Sequence, residues 1–129
     1  MNKYQDKHIK IFIDDNGILT SDWIGFQDEG TIKHGGAMML QIFKDNNCTL
    51  VLNLNIHVVG PWFRAALWTK QEWFPQIISC GLKKFAWVES GNVFAQLSKE
   101  HAMPIHTGII RTFSNLEEAK AWLLVEEPY

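Results

Sequence analysis

Basic clusters are missing from this sequence. Lys and Arg together number 12 against 14 Asp and Glu, and their tightest grouping is the pair Lys83 and Lys84. Binding to nucleic acid needs clustered cations to neutralise phosphates, so a net charge of −2 argues against a nucleic-acid partner. Long apolar runs are absent too, and none approaches the ~20 residues of a membrane span. Only Cys48 and Cys80 are present, too few for a disulfide framework, so both are expected as reduced thiols. The opening "MNKYQDKHIK" is polar and reads as neither a signal nor a transit peptide, which sets a cytoplasmic expectation. The glycines form neither G-x-G-x-x-G nor a P-loop, and neither G-x-S-x-G nor H-E-x-x-H occurs.

What is present is a regular alternation of strand and helix signals, with no repeat or linker. The 129 residues suit one domain over 1–129, with 47% hydrophobic residues to fill its core. "HIKIFI" (8–13) alternates polar and apolar residues, the period of a half-buried strand. "DDNG" is turn chemistry and "ILTSDWIGF" (18–26) a second strand, so the chain opens with a hairpin. Asp28 and Glu29 start a helix, Gly35 and Gly36 mark its close approach to a sheet, and Asn46 and Asn47 end it. "CTLVLNLN" (48–55) reads as a strand buried on both faces. A long helix from Pro61 to Cys80 follows, bent at Pro75. Then come a strand (82–89), a helix (92–102), a strand (108–113) and a last helix capped by Ser114 with Glu117. This order predicts an α/β fold: a mainly parallel sheet of about five strands with about four helices.

The stretches "EWFPQIISCGLKKFAWV" (72–88), "NVFAQLS" (92–98) and "RTFSNLEEAKAWL" (111–123), with the opening hairpin, resemble the STAS domain family. The closer resemblance is to the small bacterial SpoIIAA-like proteins, grouped with CRAL-TRIO-like folds. It covers almost the whole chain and implies a STAS (SpoIIAA-like) fold. The anti-sigma antagonists of that family carry a phosphorylatable Ser after the central strand, where added charge blocks a partner. The matching stretch here, "NIHVVGPW" (55–62), has no Ser, Thr or Tyr. What the resemblance implies is a non-catalytic interaction or regulatory domain without that switch.

No catalytic, cofactor or metal set assembles from the residues. His8, His34, His57, His101 and His106 include no i, i+4 pair with a supporting carboxylate. His57 falls in the expected junction loop. Cys80 sits at a helix end, which disfavours a reactive thiolate. The anomaly is aromatic: six Trp, three of them between Trp62 and Trp73. On a helical wheel Trp62, Ala66, Trp73 and Ile77 cluster, and Phe63, Leu67, Phe74 and Ile78 lie beside them. Trp68 falls opposite, with Arg64, and Lys70 lies inside the apolar arc. Two functions follow as expectations. One is a protein partner or self-association through Phe63, Arg64 and Trp68. The other is an apolar small ligand or lipid held between the long helix and 91–98, by Trp62, Trp73, Phe94 and Lys70.

Overall fold

A computed structural model describes residues 1–104 and 108–125. Six strands form one sheet in sequence order: β1 (Asn2–Gln5), β2 (Ile9–Ile13), β3 (Leu19–Phe26), β4 (Leu50–Val59), β5 (Lys84–Val88) and β6 (Ile110–Phe113). The first three are antiparallel, and β3 to β6 are parallel. The sheet is therefore mixed, with one strand more than the period of the sequence announced. β1 was unread because it is a polar, mostly exposed edge strand with no apolar face to give a period. Between β2 and β3 the turn forms as expected: Asp14 Oδ1 accepts from the N–H groups of Asn16 and Ile18, and Gly17 takes φ 77°.

Helix α1 (Glu29–Asp45) begins at Asp28, whose carboxylate accepts from Thr31 N–H while the Thr31 hydroxyl accepts from Asp28 N–H. The two glycines do bring α1 close to its neighbours. A Cβ on Gly35 would lie 2.5 Å from Trp23 of β3, and one on Gly36 would lie 3.0 Å from Trp73. The long helix runs over 63–79 without a break, as α2 (Phe63–Trp68), a π-helical turn (Thr69–Trp73) and α3 (Phe74–Ser79). Pro61 lies before its cap residue Trp62 and outside the helix. Pro75 is accommodated directly after the wider π turn. α4 (Val93–Ala102) is capped by Asn92. α5 (Leu116–Leu124) is capped by Asn115, which accepts from Glu118 N–H, one residue beyond the expected Ser114 cap.

Alternate residues of each parallel strand feed two cores. Val51, Phe85 and Trp87 join α1, the 63–79 helix and α4 in the larger one. Leu52, Ala86 and Val88 join Ala119 and Leu123 of α5 in the smaller. Lys84 is buried yet served: its ammonium donates to the Trp122 and Val125 carbonyls, the negative end of α5. Among the described residues no helix is long and apolar enough to cross a membrane.

Candidate functional site

The chemistry of the larger core begins with polar residues inside apolar strands. Asn53 and Asn55 are two apart on β4 and so share a face. Both are buried. Asn53 Oδ1 accepts from Ser21 Oγ at 2.6 Å and from Trp23 Nε1 at 2.9 Å, and Asn53 Nδ2 makes a long 3.5 Å contact to Asn55 Oδ1. This ladder ties β3 to β4 under the helices.

Above the ladder lies a cavity of about 50 Å³. Its floor is Asn53, Asn55, Phe85 and Trp87, and its α1 side is Ile32, Gly36 and Met39. The long helix contributes Trp62, Trp68, Thr69 and Trp73, and the end of β3 adds Trp23 and Gln27. The walls are almost wholly apolar and carry no charged residue. The volume would hold about three waters or one small chemical group. Gly36 makes this geometry possible: without a side chain, α1 lets the edge of Trp68 come within 3.2 Å of its Cβ direction.

Hydrogen bonding at the cavity is uneven. Trp23 Nε1 is served by Asn53, and Trp73 Nε1 donates to the Gly36 carbonyl at 2.7 Å. Thr69 Oγ1 donates to the Ala65 carbonyl. The indole nitrogens of Trp62 and Trp87 and Oε1 of Gln27 are buried and have no partner among the described residues. Gln27 cannot escape by an amide flip. Its Nε2 already donates to two carbonyls, those of His8 and Ile24, which an oxygen could not do. Each unpaired buried group costs about 1–3 kcal/mol, and more than 90% of such groups in native proteins are paired. All three atoms belong to residues that line the cavity. Trp62 and Trp87 stack on each other, with ring centroids 6.2 Å apart at 19°.

Trp62, Trp68 and Trp73 line the cavity. Trp68 does not stand off in solvent: it is half-buried against α1, with the Lys33 ammonium 5.9 Å over its ring. The wheel located its direction but not the helix waiting on that flank. Phe63 is exposed, its ring centroid 5.6 Å from that of His101 in an edge-to-face contact, and Arg64 is exposed. Lys70 is half-buried but does not line the cavity, and Phe94 is 59% exposed on α4. The cavity thus lies between the long helix, α1 and the sheet, not against 91–98. Gln27, Asn53, Asn55 and Trp87 were not singled out. The two Asn in an otherwise apolar strand were the available signal.

Among the described residues the remaining titratable groups form no centre. β4 runs on to Val59, so His57 sits on a strand and not in the junction loop, 3.4 Å from Asp22. Burial pushes the Cys48 thiol pKa up, against a smaller opposing effect of Lys3. Lys99 pairs with Glu89 at 2.6 Å. Among the described residues no group of three or more His, Cys, Asp or Glu could hold a metal ion. His106 lies outside the described residues.

No protein-family model and no curated protein matches the chain. Among solved structures it is similar to an uncharacterised protein of the DUF3478 family, with a SpoIIAA-like fold, from Shewanella loihica PV-4. The TM-score is 0.59 at 16% identity, over 94% of this chain and 98% of that one. The fold of this chain is SpoIIAA-like, as its resemblance implied.

Proposed function

We propose that this chain is a non-catalytic ligand-binding protein that takes a small, mostly apolar molecule into its aromatic cavity. The observation that carries the reading is the cavity itself, walled by aromatic side chains with the buried Asn53 and Asn55 on its floor. A mostly apolar pocket with a few placed polar groups is the usual composition of a small-molecule site. Catalysis has no support there. The walls offer amides, indoles and a committed hydroxyl, and no nucleophile or titratable acid–base pair.

Docking of a protein partner through Phe63, Arg64 and Trp68, without a phosphorylation switch, has less in its favour, because Trp68 is half-buried against α1. Residues 55–62 carry no hydroxyl, and at the helix start the Trp62 N–H already donates to the buried Ser98 Oγ at 2.8 Å. The ligand reading is tested by thermal shift with a library of small neutral fragments. At ten times its Kd a fragment contributes about 1.4 kcal/mol. Wild type is expected to gain stability with several fragments. Val58→Phe, which plugs the cavity from β4, is expected to gain with none. Met39→Phe fills the same space from α1 and serves if the first variant does not fold. Wild type that gains nothing with any fragment would refute the reading.

A further inference from the structure

We propose that Trp68 is the gate of the cavity: its indole closes the wall against α1 and swings outward to admit the ligand. This rests on the cavity being a ligand site and goes on to say how that site is entered. Of the described residues that line the cavity, all but Trp68 are buried. Trp68 is half-buried, so it alone reaches from the cavity to the solvent. The other aromatic walls are tied down. Trp73 Nε1 donates to the Gly36 carbonyl at 2.7 Å, Trp23 Nε1 donates to Asn53, and Trp62 stacks on Trp87. Among the described residues Trp68 makes no indole hydrogen bond and no ring-to-ring contact. Its hold is contact with α1, where the ring tip lies 3.2 Å from the place of a Cβ on Gly36, and the Lys33 ammonium 5.9 Å over the ring. Lys33 is exposed and shared with Glu29 at 3.0 Å, which makes it a weak tie.

The backbone supplies a pivot. Trp68 is the last residue of α2, directly before the π turn Thr69–Trp73. On a regular α-helix Trp68 and Trp73, five apart, would point about 140° away from each other. The i→i+5 bonding of a π turn makes residues five apart share a face, as residues four apart do on an α-helix. Both side chains accordingly converge on Gly36. A shift of the π turn to the N-terminal side of Trp68 would restore the regular pitch between the two. Trp73 is fixed by its hydrogen bond, so Trp68 would turn away from Gly36 to the Arg64 side that a regular wheel gives it, and the wall would open.

The test is hydrogen exchange of the full chain, followed by heteronuclear NMR. The Trp73 indole N–H is buried at the cavity wall and reports opening of the gate. Backbone amides of β5, which is paired on both sides, report global unfolding. Trp68→Ala removes the gate and is expected to speed Trp73 indole exchange by about tenfold relative to the β5 amides. Trp68→Phe keeps a smaller ring and should fall between. Lys33→Met removes the cation and should give about a threefold rise. Xenon, a single apolar atom, is the probe of entry. It should shift cavity signals of wild type, and enter Trp68→Ala faster.

If Trp68→Ala does not fold, Trp68→Phe and Lys33→Met decide. Trp73 indole exchange that rises no more than that of the β5 amides overturns the gate, and xenon that still shifts cavity signals then leaves the site standing. Xenon that enters Trp68→Ala but never wild type also overturns it, because the indole is then a fixed wall. If xenon shifts no cavity signal in either protein, the site reading falls as well.

Discussion

Replacing either of two buried tryptophans by phenylalanine removes the same atoms, yet the structure predicts different losses. Trp87 is 3% exposed and its Nε1 has no partner, whereas Trp73 is 5% exposed and its Nε1 donates to the Gly36 carbonyl at 2.7 Å. Trp→Phe deletes roughly two methylene equivalents of buried surface, about 2 kcal/mol with the void left behind. At Trp73 a hydrogen bond of about 1 kcal/mol goes too, for a loss of about 3 kcal/mol. At Trp87 the variant instead relieves an unpaired buried donor, whose burial costs about 1–3 kcal/mol. The two effects oppose, and the net loss is expected within about 1 kcal/mol of zero. Urea unfolding of ligand-free protein measures both, and the midpoints should be far apart with equal slopes. Equal losses of about 3 kcal/mol would refute the argument, because they would mean that the Trp87 N–H is paired after all.

Three further outcomes follow from local geometry. Gly35→Ala should destabilise despite Ala's better helix propensity. Its Cβ would fall 2.5 Å from the Trp23 ring, and the crowding should exceed the propensity gain of about 1 kcal/mol in urea unfolding. Asn115→Ala should cost about 1 kcal/mol, and Ser114→Ala close to nothing, because only Asn115 caps α5. Asp6 carries a pH dependence. Its burial raises the carboxyl pKa, but hydrogen bonds from Tyr4 Oη and the His8 and Ile9 N–H groups outweigh it, and the folded value lies below the ordinary one. A lowered folded pKa stabilises above the unfolded value and is lost as pH falls through the folded value. Tm of wild type should therefore fall more steeply than that of Asp6→Asn below about pH 4.

The elements with a strong period were legible. The β2–β3 hairpin, the start of α1 at Asp28 and Glu29, β5 and α5 all stand close to their expected positions. β4 was read four residues short. Its register slips where Asp22 faces Leu54 but Ile24 faces His57, so β4 carries one extra residue and the alternation changes face midway. The long helix was placed correctly, but its π turn cannot be read from a wheel of constant pitch. Beyond it Phe74 and Ile77 are buried and Ile78 is exposed. The aromatic surplus pointed to the right helix. It could not show that the cavity's other walls come from α1, β4 and β5, or that Gln27 swings in from the end of β3. Such a site is a meeting of segments distant in sequence. Its local marks were the Asn53 and Asn55 pair and the two glycines of α1.

The central claim is that the cavity is built to be occupied. Native mass spectrometry of the chain as purified from cells under gentle conditions tests it most directly. The account predicts one small neutral molecule per chain, released on denaturation and absent from Val58→Phe. Bare protein in both wild type and variant, with no fragment able to restore an adduct to wild type, would contradict it.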